Sequence, residues 1–143
     1  MDHIVYVDSK ADELSRILTG EKTMIIRGAA GRKMPYGRVD RDDILYLIKN
    51  DGSGLIRARA KVKSGLNSEK MTKDESVSLV EKYQDRLQLT DSQIKKWAGK
   101  RYLVLIEIEE VEELEPFSVY KSGYGNMDDW LPIGNIEEVK VCD

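Results

Sequence analysis

The chain has 143 residues, of which 41% are hydrophobic and 34% are charged, and its formal net charge is −3. This length and apolar content are typical of a single domain with its own core, so we expect one domain over residues 1–143. A net negative charge argues against a general nucleic-acid binder. With one histidine and one cysteine, the chain has no internal disulfide and lacks the usual zinc ligands. An acidic calcium or magnesium site is the remaining alternative, but no loop has the EF-hand spacing, so we predict no metal site and no cofactor.

No apolar run approaches the roughly 18 residues that span a bilayer, and the N-terminal segment lacks a signal-type pattern. We therefore expect a cytoplasmic protein without membrane contact. The charge is unevenly distributed: residues 20–63 hold eleven basic and five acidic side chains, whereas residues 64–143 hold ten basic and seventeen acidic ones. A basic region inside an acidic protein suits a local anionic ligand better than long DNA.

The first part of the chain predicts two short strands separated by a helix. Residues 3–8 are predicted to be a strand, and residues 9–20 a helix with Ser9 as its N-cap and a glycine as its C-terminal stop. Residues 22–27 follow as the second strand. Residues 28–42 contain three glycines, a proline and four basic residues, so they predict a loop long enough to carry a function.

The central part predicts a hairpin with one basic face. Residues 44–49 are an apolar strand, NDGSG at 50–54 is a turn signal, and residues 55–63 form the returning strand. Its two faces are predicted to carry Ile56, Ala58, Ala60 and Val62 on one side, and Arg57, Arg59, Lys61 and Lys63 on the other. The basic face could follow a phosphate backbone, or Glu107 and Glu109 on another strand could neutralise it.

The remaining chain predicts two helices and two further strands. Two capping-box spacings indicate helices at 73–83 and 91–97. Residues 101–114 give the longest strand signal, residues 115–135 are predicted to be rich in loops, and residues 136–141 predict a last strand. Together the elements predict an α+β fold, a small β-barrel of five or six strands with two or three short helices.

Two glycine-containing segments hold further candidate binding residues. The loop after the second strand contains Arg32, Lys33, Tyr36 and Arg38, and basic side chains around an aromatic ring suit phosphate contacts combined with base stacking. No Gly-Lys-Ser/Thr sequence closes this loop, so nucleotide hydrolysis of the P-loop type is not predicted. In the later loop-rich segment, Tyr124 is the candidate for stacking on a base.

The segment ILTGEKTMIIR at residues 17–27, with the basic loop and the strands DDILYL and GLIRARAKV that follow it, resembles the ASCH family of the PUA-like β-barrel superfamily. The family signature is G-x-K-x-x-E-x-R. Gly20, Lys22 and Arg27 match it, whereas Ile25 stands where the family prefers glutamate. The resemblance implies a small PUA-like barrel with a cleft that receives the signature lysine and arginine, and a ligand that is RNA or nucleotide-like.

Some small members of this family are amidohydrolases that deacetylate acetylcytidine. They use a lysine, a threonine three residues later and a downstream glutamate. Lys22 matches that lysine and Asp85 is the candidate for the acid, but Ile25 occupies the threonine position. Because isoleucine has no nucleophilic oxygen, the resemblance favours a binding module over an enzyme.

We expect the partner to be single-stranded RNA or a nucleotide-like anion, bound by a monomer. The predicted contact residues are Lys22, Arg27, Arg32, Lys33, Tyr36, Arg38, Arg57, Arg59 and Tyr124. One alternative is an amidohydrolase or other hydrolase that acts on modified nucleosides or RNA, with Lys22 and Asp85 as its candidate catalytic residues. Another alternative is a protein-interaction module that uses the acidic C-terminal half.

Overall fold

The structure is a computed structural model that describes residues 1–119 and 129–141. Its strands are β1 (Asp2–Val7), β2 (Met24–Ala29), β3 (Ile44–Lys49), β4 (Leu55–Asn67), β5 (Tyr102–Ser118) and β6 (Trp130–Gly134). Its helices are α1 (Glu13–Leu18), α2 (Lys73–Leu87), α3 (Asp91–Trp97) and a short 3-10 helix (Ile136–Glu138). Within the described residues, no helix has the length and apolar character needed to cross a membrane.

The six strands form one sheet in the order β2-β5-β4-β3-β1-β6. β1 and β3 are parallel, and the other neighbouring pairs are antiparallel. β4 and β5 extend beyond their predicted ends to Asn67 and Ser118, because they pair with each other along their length. Three register shifts interrupt this pairing, and bulges of this kind increase the twist and bend a sheet. The sheet curls into a half-barrel, which confirms the predicted α+β fold.

The predicted alternation in β4 determines which side of the hairpin is buried. Ala58, Ala60 and Val62 lie in the main apolar cluster inside the half-barrel, and Ile56 lies in a second cluster together with Leu131 of β6. The basic residues between them are half-buried or exposed. The predicted hairpin is therefore confirmed, and its apolar face is confirmed for Ala58, Ala60 and Val62. Ile56 is the exception: it pairs with Ile48 beyond a register shift and lies on the other side of the sheet.

α2 and α3 cover the side of β2 and β5 that faces away from this interior, over a third apolar cluster. Both helices begin with the predicted capping boxes, Thr72 with Glu75 and Thr90 with Gln93. α3 has its predicted bounds, whereas α2 continues past its predicted end to Leu87. Leu87 is fully buried, so packing against the sheet stabilises this additional turn.

Two expectations for the C-terminal part are wrong. β6 forms inside the segment expected to be loop-rich, and it pairs antiparallel with β1. Pro132 is tolerated there because β6 lies at the edge of the sheet. Residues 136–141 do not form a strand: the side chain of Asn135 accepts a hydrogen bond from the amide of Glu137 and begins the 3-10 helix.

The first helix is also shorter than expected, since α1 begins at Glu13 and Ser9 is not its N-cap. Instead, the carboxylate of Asp8 accepts hydrogen bonds from the amides of Lys10 and Ala11, which fixes a turn before the helix. Ser9 donates its hydroxyl hydrogen to the carbonyl oxygen of Asn50. The turn and this bond place Ser9 and Lys10 beside the end of β3.

Candidate ligand-binding cleft

A cleft opens where β2, α1 and α3 meet the ends of β1 and β3. It consists of two overlapping cavities with volumes of about 230 and 380 Å³. Both cavities are lined by Arg27, Asn50, Lys96, Trp97 and Asp129. We call their combined space the Arg27 cleft. The residues that line it are distant from one another in the sequence, so the cleft forms only when the chain is folded.

Basic side chains outnumber acidic ones in the lining of the Arg27 cleft. The basic residues are Lys10, Arg27, Lys33, Lys96 and Lys100. The acidic residues are Asp8, Glu13 and Asp129. All four lysines are exposed to solvent. Mobile ammonium groups around a fixed guanidinium can bind an anion whose position varies by small amounts.

Arg27 lies at the junction of the two cavities, and only 7% of the residue is exposed. Its guanidinium carbon lies 5.7 Å from the ring centre of Trp97 and 5.6 Å from that of Trp130, within the range of cation–π attraction. Trp130 donates its indole N–H to Nδ1 of His3 at 3.2 Å. Nε2 of His3 therefore carries the ring proton and donates it to Asp43, 2.9 Å away. These buried bonds fix the indole that contacts Arg27.

The guanidinium of Arg27 also joins two strands that are not neighbours in the sheet. Nη1 donates to the carbonyl oxygen of Ile26 in β2 at 2.7 Å, and Nη2 donates to that of Tyr6 in β1 at 2.6 Å. Nε lies 3.1 Å from Oδ2 of Asp129 in an ion pair. A guanidinium has five N–H groups, and these contacts with described residues do not use all of them. Arg27 can therefore donate a hydrogen bond to a further acceptor.

Lys22 does not line the Arg27 cleft, and only 2% of it is exposed. Its Nζ donates to the carbonyl oxygen of Leu87 at 2.5 Å, and the amide of Thr23 donates to that of Arg86. Both acceptors belong to the last turn of α2, where a positive charge is favourable. Burial lowers the pKa of Lys22 to about 8, although the nearby carboxylate of Glu13 acts in the opposite direction. The predicted ligand contact of Lys22 stays a prediction.

The basic loop lies against the start of β5. The guanidinium carbon of Arg32 is 5.5 Å from the ring centre of Tyr36 and 5.7 Å from that of Tyr102, and the two rings meet edge to face. Tyr36 donates its hydroxyl hydrogen to the carbonyl oxygen of Ser68, which fixes the ring. Lys33 lines the larger cavity of the cleft. Arg38, in contrast, is exposed and does not line the cleft.

The basic face of β4 lies away from the Arg27 cleft and is largely paired with acidic groups. Nε of Arg59 lies 2.8 Å from the carboxylate of Glu112 on β5. Lys61 approaches Asp42 and Glu110 at 3.3 Å each, and Lys63 approaches Glu107 at 3.7 Å. Arg57 lines a separate cavity of about 420 Å³ together with Glu113 and Glu115. Neutralisation across the sheet, one of the two interpretations of this face, therefore occurs at three of its four basic residues. Of the two predicted partners, Glu107 forms an ion pair, whereas Glu110 and Glu112 take the place expected for Glu109.

The candidate catalytic groups do not form a cluster in the described part of the chain. Ile25 is 1% exposed and lies in the main apolar cluster, so its side chain packs in the core. Asp85 is exposed on α2, and among the described residues its side chain forms no hydrogen bond or ion pair with Lys22, whose amino group donates to Leu87. Tyr124 lies outside the described residues. The described residues also contain no group of three or more His, Cys, Asp or Glu placed to hold a metal ion.

Sequence reasoning missed several residues in and near the cleft. They are Glu13, Gln93, Lys96 and Lys100 in its lining, and Tyr102 beside Arg32. A local signal existed for Glu13, which lies four positions before the buried Ile17 and so places a carboxylate on the apolar face of a helix. The sequence Lys95–Trp97 likewise combines two basic residues with an aromatic one. No pattern showed that α1, α3 and β2 would meet.

No family model matches the sequence, and no curated protein matches it. Solved structures of ASCH from Zymomonas mobilis do match the fold. A tyrosine-to-phenylalanine mutant has a TM-score of 0.71 at 10% identity and covers 96% of this chain and 93% of its own. A serine-to-alanine mutant has a TM-score of 0.69 at 12% identity, with 96% and 91% coverage. A third ASCH structure has a TM-score of 0.64 at 12% identity, with 90% and 82% coverage. The chain therefore has the fold of ASCH proteins, as its motif resemblance predicted.

Proposed function

We propose that this protein binds single-stranded RNA or a nucleotide through a phosphate group placed in the Arg27 cleft. The observation that carries the proposal is the position of Arg27, a guanidinium held by two indoles and two carbonyl oxygens among four exposed lysines. A planar guanidinium matches the geometry of phosphate oxygens, and a side chain already fixed loses little entropy on binding.

The stacked group of Arg32, Tyr36 and Tyr102 favours RNA over an inorganic anion as the ligand. Arg32 is exposed, and the next residue, Lys33, lines the cleft, so the stacked group is adjacent to the proposed phosphate site. Aromatic rings and a guanidinium can stack on bases of any sequence, and each stacked base contributes about 1–3 kcal/mol. The protein-interaction alternative is less favoured, because three of the six glutamates of β5, namely Glu107, Glu110 and Glu112, are already paired with basic residues of β4.

Lys96 gives a direct test of the cleft, because the neighbouring Lys95 provides a matched control. Both lysines are exposed on α3, but only Lys96 lines the cleft. We expect Lys96→Ala to weaken binding of a short fluorescent RNA severalfold and to reduce the slope of log affinity against log salt by about 0.7. Lys95→Ala should leave both values near those of the original protein. Equal losses for the two variants, measured by fluorescence anisotropy, would contradict binding in the cleft.

The hydrolase alternative has less support from the geometry. The amino group of Lys22 is bonded to Leu87, and Ile25 packs in the core. Incubation of the protein with acetylcytidine, followed by chromatography for cytidine, tests this alternative directly. Product formation that is abolished by Lys22→Met would favour the hydrolase.

A further inference from the structure

Glu13 is a buried acid in the wall of the Arg27 cleft. It is the first residue of α1, it lines the smaller cavity, and only 5% of it is exposed. Its Oε2 accepts a hydrogen bond from the side-chain amide of Gln93 in α3 at 2.7 Å. Its Oε1 is shielded from solvent and has no hydrogen-bond partner among the described residues. One oxygen of the carboxylate is therefore hydrogen-bonded within the fold, and the other is not.

An unpaired buried carboxylate oxygen is unfavourable, and packing alone does not require one. The nearby basic group is Lys22, but its ammonium group donates to the carbonyl oxygen of Leu87 and forms no ion pair with Glu13. A glutamine at this position could accept the same hydrogen bond from Gln93 and would bring no buried charge. The fold thus retains an acceptor that it does not itself satisfy, at the wall of a cleft with basic groups.

We propose that Glu13 selects the ligand of the cleft by accepting a hydrogen bond from one of its N–H or O–H groups. This inference rests on the proposed function, because it assumes that a phosphate binds near Arg27 and Lys96. A second phosphate at Glu13 would be repelled by the carboxylate, whereas a neutral donor would be attracted. Because Oε2 is held by Gln93, the donor of the ligand would approach Oε1 of this side chain, which lines the smaller cavity. The donor would be either an amino group of a base or a hydroxyl of a sugar.

The experiment compares the original protein with Glu13→Gln by calorimetric titration with four ligands. The ligands are cytidine monophosphate, uridine monophosphate, ribose phosphate and inorganic phosphate. We expect Glu13→Gln to lose about tenfold in affinity for a ligand that donates to Glu13, while inorganic phosphate binds at least as tightly as before. A loss confined to cytidine monophosphate identifies a base amino group as the donor. A loss that extends to ribose phosphate identifies a sugar hydroxyl.

Glu21→Gln is the matched control, because Glu21 is exposed and does not line the cleft. It should leave all four affinities unchanged. If Glu13→Gln changes the four affinities by one common factor, or changes none, the selection by Glu13 is overturned while the proposed function stands. If the original protein binds none of the four ligands and no RNA, both are overturned. Should Glu13→Gln fail to fold, Glu13→Asp, which keeps the charge but withdraws it from the cleft, must show the same selective loss.

Discussion

Gly28 lies in β2 at a point where the strand has no room for a side chain. A Cβ atom at this position would lie 2.6 Å from Cδ2 of Leu103 and 3.1 Å from the carbonyl oxygen of Tyr102. Leu103 is fully buried and cannot easily move aside. We therefore expect Gly28→Ala to reduce the free energy of unfolding by about 1–3 kcal/mol, measured by urea denaturation. Gly31→Ala is the control, since no atom lies within 4 Å of its added Cβ, and equal effects would contradict the close approach.

Lys22 should make the stability of the protein depend on pH in the alkaline range. Its pKa is about 8 in the folded state because of burial, against an ordinary value of 10.5. Between these pH values the unfolded chain binds more protons than the folded one, so stability rises as the pH increases through this window. We expect a rise on the order of 2 kcal/mol between about pH 7 and about pH 10, measured by urea denaturation.

Lys22→Met should remove this rise, because methionine does not titrate. The exposed Lys82 gives the control, and Lys82→Met should keep the pH dependence of the original protein. If Lys22→Met shows the same rise as the original protein, the shifted group is a different one. The test depends on how the stability of Lys22→Met changes with pH. Its stability at about pH 7 alone does not decide the test, since this variant also loses the hydrogen bond to Leu87.

At the scale of residues, the sequence identified signature positions but not their surroundings. Gly20 ends α1 with a φ of 84°, as a C-terminal glycine stop should, because this geometry depends on local backbone alone. The amino group of Lys22 donates a hydrogen bond to the carbonyl oxygen of Leu87, 65 positions away in the chain. Glu13 and Gln93 likewise meet across a separation of 80 positions. No local pattern encodes contacts of this kind.

Among the elements, α3 matters most for the cleft, and Thr90 determines where it begins. The hydroxyl of Thr90 accepts a hydrogen bond from the amide of Gln93, whose side chain contacts Glu13. We expect Thr90→Ala to lower the free energy of unfolding by about 1 kcal/mol and also to weaken binding of the short RNA. Thr72→Ala, at the matching position of α2, should lower stability by a similar amount without changing affinity. Urea denaturation measures the stability of the two variants, and fluorescence anisotropy measures their affinity for RNA. Equal affinities for both variants would show that the cap of α3 does not affect binding in the cleft.

The distance along the chain between contacting residues explains which elements could be predicted. A capping box is a contact between residues three apart, so the starts of α2 and α3 followed from the sequence. β6 depends on pairing with β1 at the opposite end of the chain, and Pro132 made its segment resemble a loop. The predicted end of α2 was too early because its last turn is stabilised by burial of Leu87 and by hydrogen bonds from Lys22 and Thr23, which are distant in the chain. Local contacts were predicted, and distant ones were not.

For the whole molecule, the sheet order leaves a gap that Arg27 spans. β2 is one edge of the sheet, and β1 is separated from it by β5, β4 and β3. The guanidinium of Arg27 hydrogen-bonds a carbonyl oxygen on each of the two strands, those of Ile26 and Tyr6. This side chain thus closes the curled sheet where backbone pairing does not. The same gap contains the cleft, so we expect Arg27 to contribute both to closure of the half-barrel and to the proposed binding site.

Arg27→Met tests this closure, because methionine fills much of the same volume without donating a hydrogen bond. One buried and one partly buried carbonyl oxygen would each lose a hydrogen bond from Arg27, and both indoles would lose their cation, so we expect a loss of about 2–4 kcal/mol in the free energy of unfolding. Hydrogen exchange should become faster in β1 and β2 than in β3 and β4, since the effect is confined to the open side of the sheet.

The control for Arg27→Met is Arg59→Met, which removes an arginine of the basic face of β4. Arg59 and its partner Glu112 are 46% and 55% exposed, so this ion pair should contribute at most about 1 kcal/mol. If Arg27→Met costs no more than Arg59→Met, the gap between β1 and β2 is closed by other contacts. In that case Arg27 would be dispensable for the fold, and its burial in the cleft would have to be explained by ligand binding alone.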